Sequence, residues 1–233
     1  MKLALLGYGR MGKEIEKIAL ERGHEIVITS NGEETYDITK ADVAIDFSVP
    51  TSAYNNISTC IENNVPVVSG TTGWLDKYND AVELCKEKKG GFIYASNFSL
   101  GVNIFFALNE KLAAMMNPQK QYNLDIEEIH HTKKLDAPSG TAITLAEGII
   151  NNSDKQKWEL DGESTKELIP ITAVRTPDVP GTHTIKYNSE VDSIEIKHTA
   201  HNRKGFALGA VVAAEWLIGK EGVYSMRDVL NIG

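Results

Sequence analysis

Along the first hundred residues the chain switches between two hydrophobic periods. Short, nearly unbroken apolar runs at residues 2–6 (KLALL), 24–29 (HEIVIT), 42–47 (DVAIDF), 65–69 (VPVVS) and 91–94 (GFIY) read as strands buried on both faces. Pro66 falls near the start of its strand, where a missing N–H is tolerated. Helical spacing fills the intervals: residues 13–22, with Ile15, Ile18 and Ala19 on one stripe, then 51–63 and about 74–88. Strands alternating with helices at this interval predict a parallel sheet with right-handed crossovers. Ligands of such sheets lie at the carboxyl ends of the strands. Glycine and small polar residues fall there strand after strand: GYGRMG at 7–12, DFSVP at 46–50, GTTG at 70–73 and ASNFS at 95–99.

From residue 100 the pattern changes. Residues 101–116 form a long apolar helix pattern, and residues 122–130 (YNLDIEEIH) alternate like a strand with one face in water. Ala142, Leu145, Ala146 and Ile149 then follow at helical spacing, with Ser139 or Thr141 as the cap. Residues 151–167 are polar and predict a loop. Residues 169–174, 183–187 and 193–199 read as successive strands without crossover helices, so this second sheet is antiparallel or mixed. The segment 205–230 is helical, interrupted near 219–222, and is expected to return to the first domain.

The first turn is Gly7-Tyr8-Gly9-Arg10-Met11-Gly12, a GxGxxG placed strand–turn–helix, the context a dinucleotide fingerprint requires. Gly7 permits the tight turn, Gly9 lets backbone approach a pyrophosphate, and Gly12 lets the helix pack on the strand. The second strand ends in Ser30-Asn31-Gly32 rather than a carboxylate, and Glu33 and Glu34 come late. With Arg10 in the phosphate loop, NADH and NADPH are both expected to serve. The fold class expected is therefore α/β. A Rossmann-like dinucleotide-binding domain takes residues 1–101 and 206–233, and an α+β substrate and oligomerisation domain with a mixed sheet takes residues 102–205.

The densest chemistry lies at residues 127–142 (EEIHHTKKLDAPSGTA). Two histidines and two lysines precede a helix start, where free N–H groups and the dipole favour an anion. Imidazole, ammonium and bare amides together suit a small carboxylate substrate that must also receive a proton. Taken alone, a His-His-x-Lys-Lys run is also what a solvated strand end looks like. No Cys or HxxxH spacing accompanies the histidines, so no metal is expected.

Composition narrows the classes. A net charge of −8 argues against broad nucleic-acid binding, and residues 130–134 and 197–204 (KHTAHNRK) stand out as local positive patches on an acidic protein. No run of eighteen apolar residues suggests a membrane span, and no secretory leader precedes the first turn. Cys60 and Cys85 read as reduced packing residues. A cytoplasmic protein is expected.

The block His130, His131, Lys134 and Asp136 through Ala142 resembles the dihydrodipicolinate reductase family of the diaminopimelate route to lysine. Gly7 to Gly12, the Asp-Phe-Ser turn, Gly70-Thr71-Thr72-Gly73, Asn97-Phe98-Ser99 and the terminal residues 219–230 extend the resemblance over nearly the whole chain. It implies NAD(P)H-dependent reduction of a small cyclic imine dicarboxylate by a homotetramer joined through the sheets of the second domain. His130 would give or take a proton and Lys134 would be a second proton donor. His131, Gly140, Thr141 and Arg203 would bind the substrate carboxylates. Gly7, Tyr8, Gly9, Arg10, Met11, Gly12, Ser30, Gly70, Thr71, Thr72, Ala95, Ser96, Asn97 and Phe98 would hold the cofactor. Family members often have an acidic residue where this chain has Ser30. Arg175-Thr-Pro, ahead of Gly181 and His183, also departs from the family pattern, and no function is carried onto that loop. Another dehydrogenase of this architecture, or a dinucleotide sensor, would share the first domain but would not call for the histidine–lysine block.

Overall fold

The computed structural model describes residues 1–32, 35–202 and 204–232, and the chain separates into two compact units. Residues 1–103 with 204–233 form the first, and residues 104–203 form the second.

The first unit is a six-stranded sheet in the order β11-β5-β4-β3-β1-β2, parallel throughout. Its strands are β1 (Lys2–Leu6), β2 (Glu25–Ser30), β3 (Val43–Asp46), β4 (Val67–Ser69), β5 (Gly91–Tyr94) and β11 (Gly222–Tyr224). Helices α1 (Arg10–Glu21), α2 (Pro50–Glu62), α3 (Tyr78–Lys88), α6 (Lys204–Leu217) and α7 (Met226–Leu230) belong with it. Alternate residues of one strand feed opposite cores. Leu3 and Leu5 pack with Ile15, Ile18 and the alanine-rich face of α6, whereas Ala4 and Leu6 pack with Ile57, Ile61 and Trp74. Apolar side chains on both faces are why these strands read as unbroken runs. Each fully buried Leu or Ile contributes about 1.5–3 kcal/mol. Among the described residues no helix is long and apolar enough to cross a membrane.

Two elements differ from the sequence expectation. The interruption at 219–222 leads into β11, a three-residue strand that pairs with β5 at the sheet edge. The segment 151–167 contains β7 (Lys157–Leu160), an edge strand whose side chains are mostly exposed.

The second unit begins within α4 (Leu100–Met116) and carries a mixed sheet in the order β10-β9-β6-β8-β7. Its central strand β6 (Asn123–His130) runs antiparallel to β9 (Gly181–Asn188) and parallel to β8 (Leu168–Arg175). β10 (Ser193–Ala200) completes one edge, antiparallel to β9. α5 (Gly140–Ile150) supplies Ala142, Leu145, Ala146 and Ile149 to a core with Leu124, Ile126, Ile169, Ile171 and Ile185. The opposite sheet face shows Asp125, Glu127, Thr172, Lys186, Glu195 and Lys197 exposed.

Candidate active site

In the first unit, the carboxyl ends of β1, β3, β4 and β5 carry the four loops singled out in the sequence. At Gly7, with φ +98°, an added Cβ would stand 2.1 Å from the Phe47 carbonyl oxygen, and at Gly12 one would stand 2.4 Å from the Gly7 carbonyl oxygen. Both positions admit only glycine. Gly9 is different: among the described residues nothing lies within 4 Å of where its Cβ would be. Gly9 is also the N-cap of α1, so the first amides of that helix have no side-chain cap. An open approach beside unpaired helix amides fits a pyrophosphate.

Behind this turn, Gly7 N–H donates to the Ser30 carbonyl (2.8 Å) and Tyr8 N–H to Asn31 Oδ1 (3.0 Å). The Ser30 hydroxyl accepts from Gly32 N–H (3.0 Å), which ties the end of β2 into its own turn. Arg10 is exposed and Met11 half-buried. Asp46, fully buried at the end of β3, accepts from Ser48 Oγ (2.6 Å), Asn56 Nδ2 (2.8 Å), Ser69 Oγ (2.8 Å) and Thr71 Oγ1 (2.7 Å). Thr71 Oγ1 also accepts from Ser48 N–H (2.8 Å), so the Thr71 side chain is spent on fixing its loop. Gly70 is held by Phe47, whose ring would lie 2.3 Å from an added Cβ, while Thr72 is exposed beside it. Asn97 folds its loop by accepting from Ser99 N–H (2.9 Å), between half-buried Ala95, exposed Ser96 and core-buried Phe98. Phe98 packs on Phe47 with ring centroids 5.7 Å apart.

In the second unit, β6 places Leu124, Ile126, Glu128 and His130 on the helix-covered face, since side chains alternate along a strand. Register then sets Glu128 opposite His183 on β9 and His130 opposite Arg175 on β8. Glu128 is fully buried. Its Oε2 meets His130 Nδ1 in a short hydrogen bond, and its Oε1 accepts from Arg175 Nη2 (3.0 Å) and Ser139 N–H (3.2 Å). The His130 and His183 rings meet edge to face, centroids 5.1 Å apart. His183 Nε2 pairs with Ser139 Oγ (3.1 Å), which also accepts from Ala142 N–H (3.2 Å) as the cap of α5.

Ser139 caps the third amide of α5, and among the described residues the Gly140 and Thr141 amides are left as open donors of that helix start. Among the described residues Gly140 has nothing within 4 Å of an added Cβ. Half-buried His131 follows His130, and its Nδ1 is buried without a partner among the described residues. Lys134 pairs with both carboxylate oxygens of Asp136 (2.9 and 2.8 Å), which holds that carboxyl below its usual range. Arg203, expected to bind substrate, lies outside the described residues, as do Glu33 and Glu34.

Burial pushes the His130 imidazole below its ordinary range, while Glu128 works against that shift. Burial also drives His183 down to about 3, so it is neutral across the physiological range. Glu128, His130 and His183 present ligand-type atoms within 4.8 Å of one another. Both Glu128 oxygens are already engaged, one by His130 and the other by the Arg175 guanidinium, so the cluster suits proton handling better than a metal.

A match to known proteins now bears on these features. The family described as "Dihydrodipicolinate reductase, N-terminus" matches residues 1–98, and "Dihydrodipicolinate reductase, C-terminus" matches residues 101–230. The chain belongs to the dihydrodipicolinate reductase family. A 4-hydroxy-tetrahydrodipicolinate reductase of Christiangramia forsetii is 58% identical over 99% of this chain and 98% of its own length. One from Neisseria meningitidis is 34% identical, covering 93% of this chain and 84% of its own. A solved dipicolinate-bound dihydrodipicolinate reductase from Paenisporosarcina sp. TG-14 superposes with a TM-score of 0.79 at 25% identity, over 97% of each chain. Within this family assignment, the sequence missed Glu128, Arg175 and His183. Glu128 had a signal, a carboxylate at a core phase of an alternating strand. Arg175 and His183 had only the loop that departs from the family pattern.

Proposed function

We infer that this chain is a 4-hydroxy-tetrahydrodipicolinate reductase, reducing a cyclic imine dicarboxylate with a nicotinamide cofactor. The observation that carries the chemistry is the buried Glu128–His130 pair set beside the open amides of α5. The dipicolinate carried by the similar solved protein is a planar ring with two carboxylates, the shape such amides would hold.

A nicotinamide bound at the first unit would supply the hydride. The 4-hydroxyl leaves as water to give the conjugated imine, and hydride addition to that imine would move charge onto the ring nitrogen and leave a neighbouring carbon in need of a proton. His130 Nε2 is the atom to deliver it, because Nδ1 is committed to Glu128. Lys134, drawn off Asp136, places an ammonium where negative charge develops. The amides of Gly140 and Thr141 with His131 hold a carboxylate and so orient the ring.

The first unit would hold the dinucleotide along the Gly7–Gly12 turn and the 70–72 and 95–98 loops. Asn31 at the end of β2 offers no negative charge to repel a 2′-phosphate, so NADH and NADPH are both used. We also carry the homotetramer as a proposal, supported by the exposed face of the second unit's sheet. A cytoplasmic setting is supported by two free, buried cysteines, Cys60 and Cys85.

The test is oxidation of each dinucleotide by purified protein with and without the cyclic imine. Oxidation that depends on the imine is expected with both cofactors. Absence of imine-dependent oxidation with either one would overturn the reading.

A further inference from the structure

We propose that Glu128 is a positioning residue of this reaction: one buried carboxylate fixes which nitrogen of His130 handles the proton and braces the turn that opens α5. The proposal rests on the role given to His130 above.

Three observations carry it. A carboxylate oxygen only accepts hydrogen bonds, so the contact from Glu128 Oε2 makes His130 Nδ1 the donor. Nε2 is then the nitrogen that gives and receives the proton. Its surroundings are kept clear by Gly181, where an added Cβ would stand 3.0 Å from Nε2 and 3.3 Å from Cδ2. The other oxygen, Oε1, accepts from Ser139 N–H, the residue whose hydroxyl caps α5. Proton donor and carboxylate cradle therefore share a support, and neither can shift without the other.

A purely structural reading would have Glu128 neutralise Arg175. Arg175 gives Glu128 one bond and spends its others on the carbonyls of Asp136 (2.8 Å) and Val174 (2.9 Å). Charge neutralisation alone would leave Oε2 no reason to be on His130. Among the described residues, the charged and titratable groups facing His130 are Glu128 on its own strand, Lys134 in the following turn, Arg175 on β8 and His183 on β9, with Asp136 behind Lys134. Of these, Glu128 alone raises the affinity of His130 for a proton, while Lys134 and Arg175 lower it.

Glu128→Gln separates the roles. Its amide oxygen can still accept from Ser139 and Arg175, but its NH2 group turned to His130 requires Nδ1 to accept, which moves the ring proton to Nε2. Nitrogen NMR of the ligand-free protein, with His130 assigned by its loss in His130→Gln, is expected to show the Nδ1–H tautomer in wild type and Nε2–H in the variant. At neutral pH kcat is expected to fall at least about tenfold with a smaller change in KM. The alkaline limb of kcat/KM moves to lower pH, since a donor that loses its proton more readily fails sooner as pH rises. A wild-type spectrum with the proton on Nε2 would overturn the proposal, even if the variant failed to fold. So would a folded variant with unchanged tautomer, kcat and pH limb. The spectra need no substrate, so a failure of the assigned reaction would leave this test standing on its own.

Discussion

His130 and His183 lie on paired strands and are both buried, but of the two it is His130 that has a carboxylate partner opposing the effect of burial. His130 has a carboxylate on Nδ1; His183 has the Ser139 hydroxyl on Nε2 and a buried Nδ1 without a partner among the described residues. Replacing His130 or Lys134 by Ala is expected to lower kcat by about 10²–10⁴-fold while leaving dinucleotide affinity intact, as measured by steady-state kinetics and binding titration. His183 makes a second prediction through linkage. Its folded-state pKa, about 3, lies below its ordinary 6.5, so the unfolded chain takes up a proton that the fold refuses. Stability is complete above that ordinary value and drains away as pH falls toward 3. Urea midpoints across this window should fall less steeply in His183→Asn than in wild type. Equal slopes would remove His183 from the acid sensitivity.

At the scale of elements, the turn from β1 into α1 separates glycines needed by the fold from one needed by a ligand. Gly7→Ala forces a side chain into the Phe47 carbonyl at a left-handed φ, and should cost at least about 2 kcal/mol in denaturant unfolding. Gly9→Ala meets open space and should change stability by about 1 kcal/mol or less, yet weaken dinucleotide binding at least about tenfold because its methyl occupies the pyrophosphate approach. If Gly9→Ala bound the dinucleotide as tightly as wild type, the phosphate would have to lie elsewhere.

For the whole molecule, the open face of the second sheet bears on assembly. Sedimentation at micromolar concentration is expected to give four copies, and a monomer at all concentrations would set the tetramer aside. Both units are built so that chemistry sits where strands end. In the first unit that is general to parallel sheets. In the second, β6 delivers His130 at its last residue, and the turn beyond it returns through Ser139 to start α5.

Period and punctuation along the chain already determined the parallel sheet, the dinucleotide turn, the long helix α4, the alternating strand β6 and the cap of α5, because each depends on neighbours within a few residues. The edge strands β7 and β11 escaped because neither buries a side chain fully, which leaves no buried apolar run to read. Glu128 was legible as a charge on the buried phase of β6, though its purpose was not. Arg175 lies 47 positions further on and reaches Glu128 only because β8 pairs with β6. His183 arrives by β9 from the other side. Sheet register is a long-range choice made by packing whole faces against α4 and α5, so only the tertiary structure could decide that a carboxylate, a guanidinium and two imidazoles share one buried place.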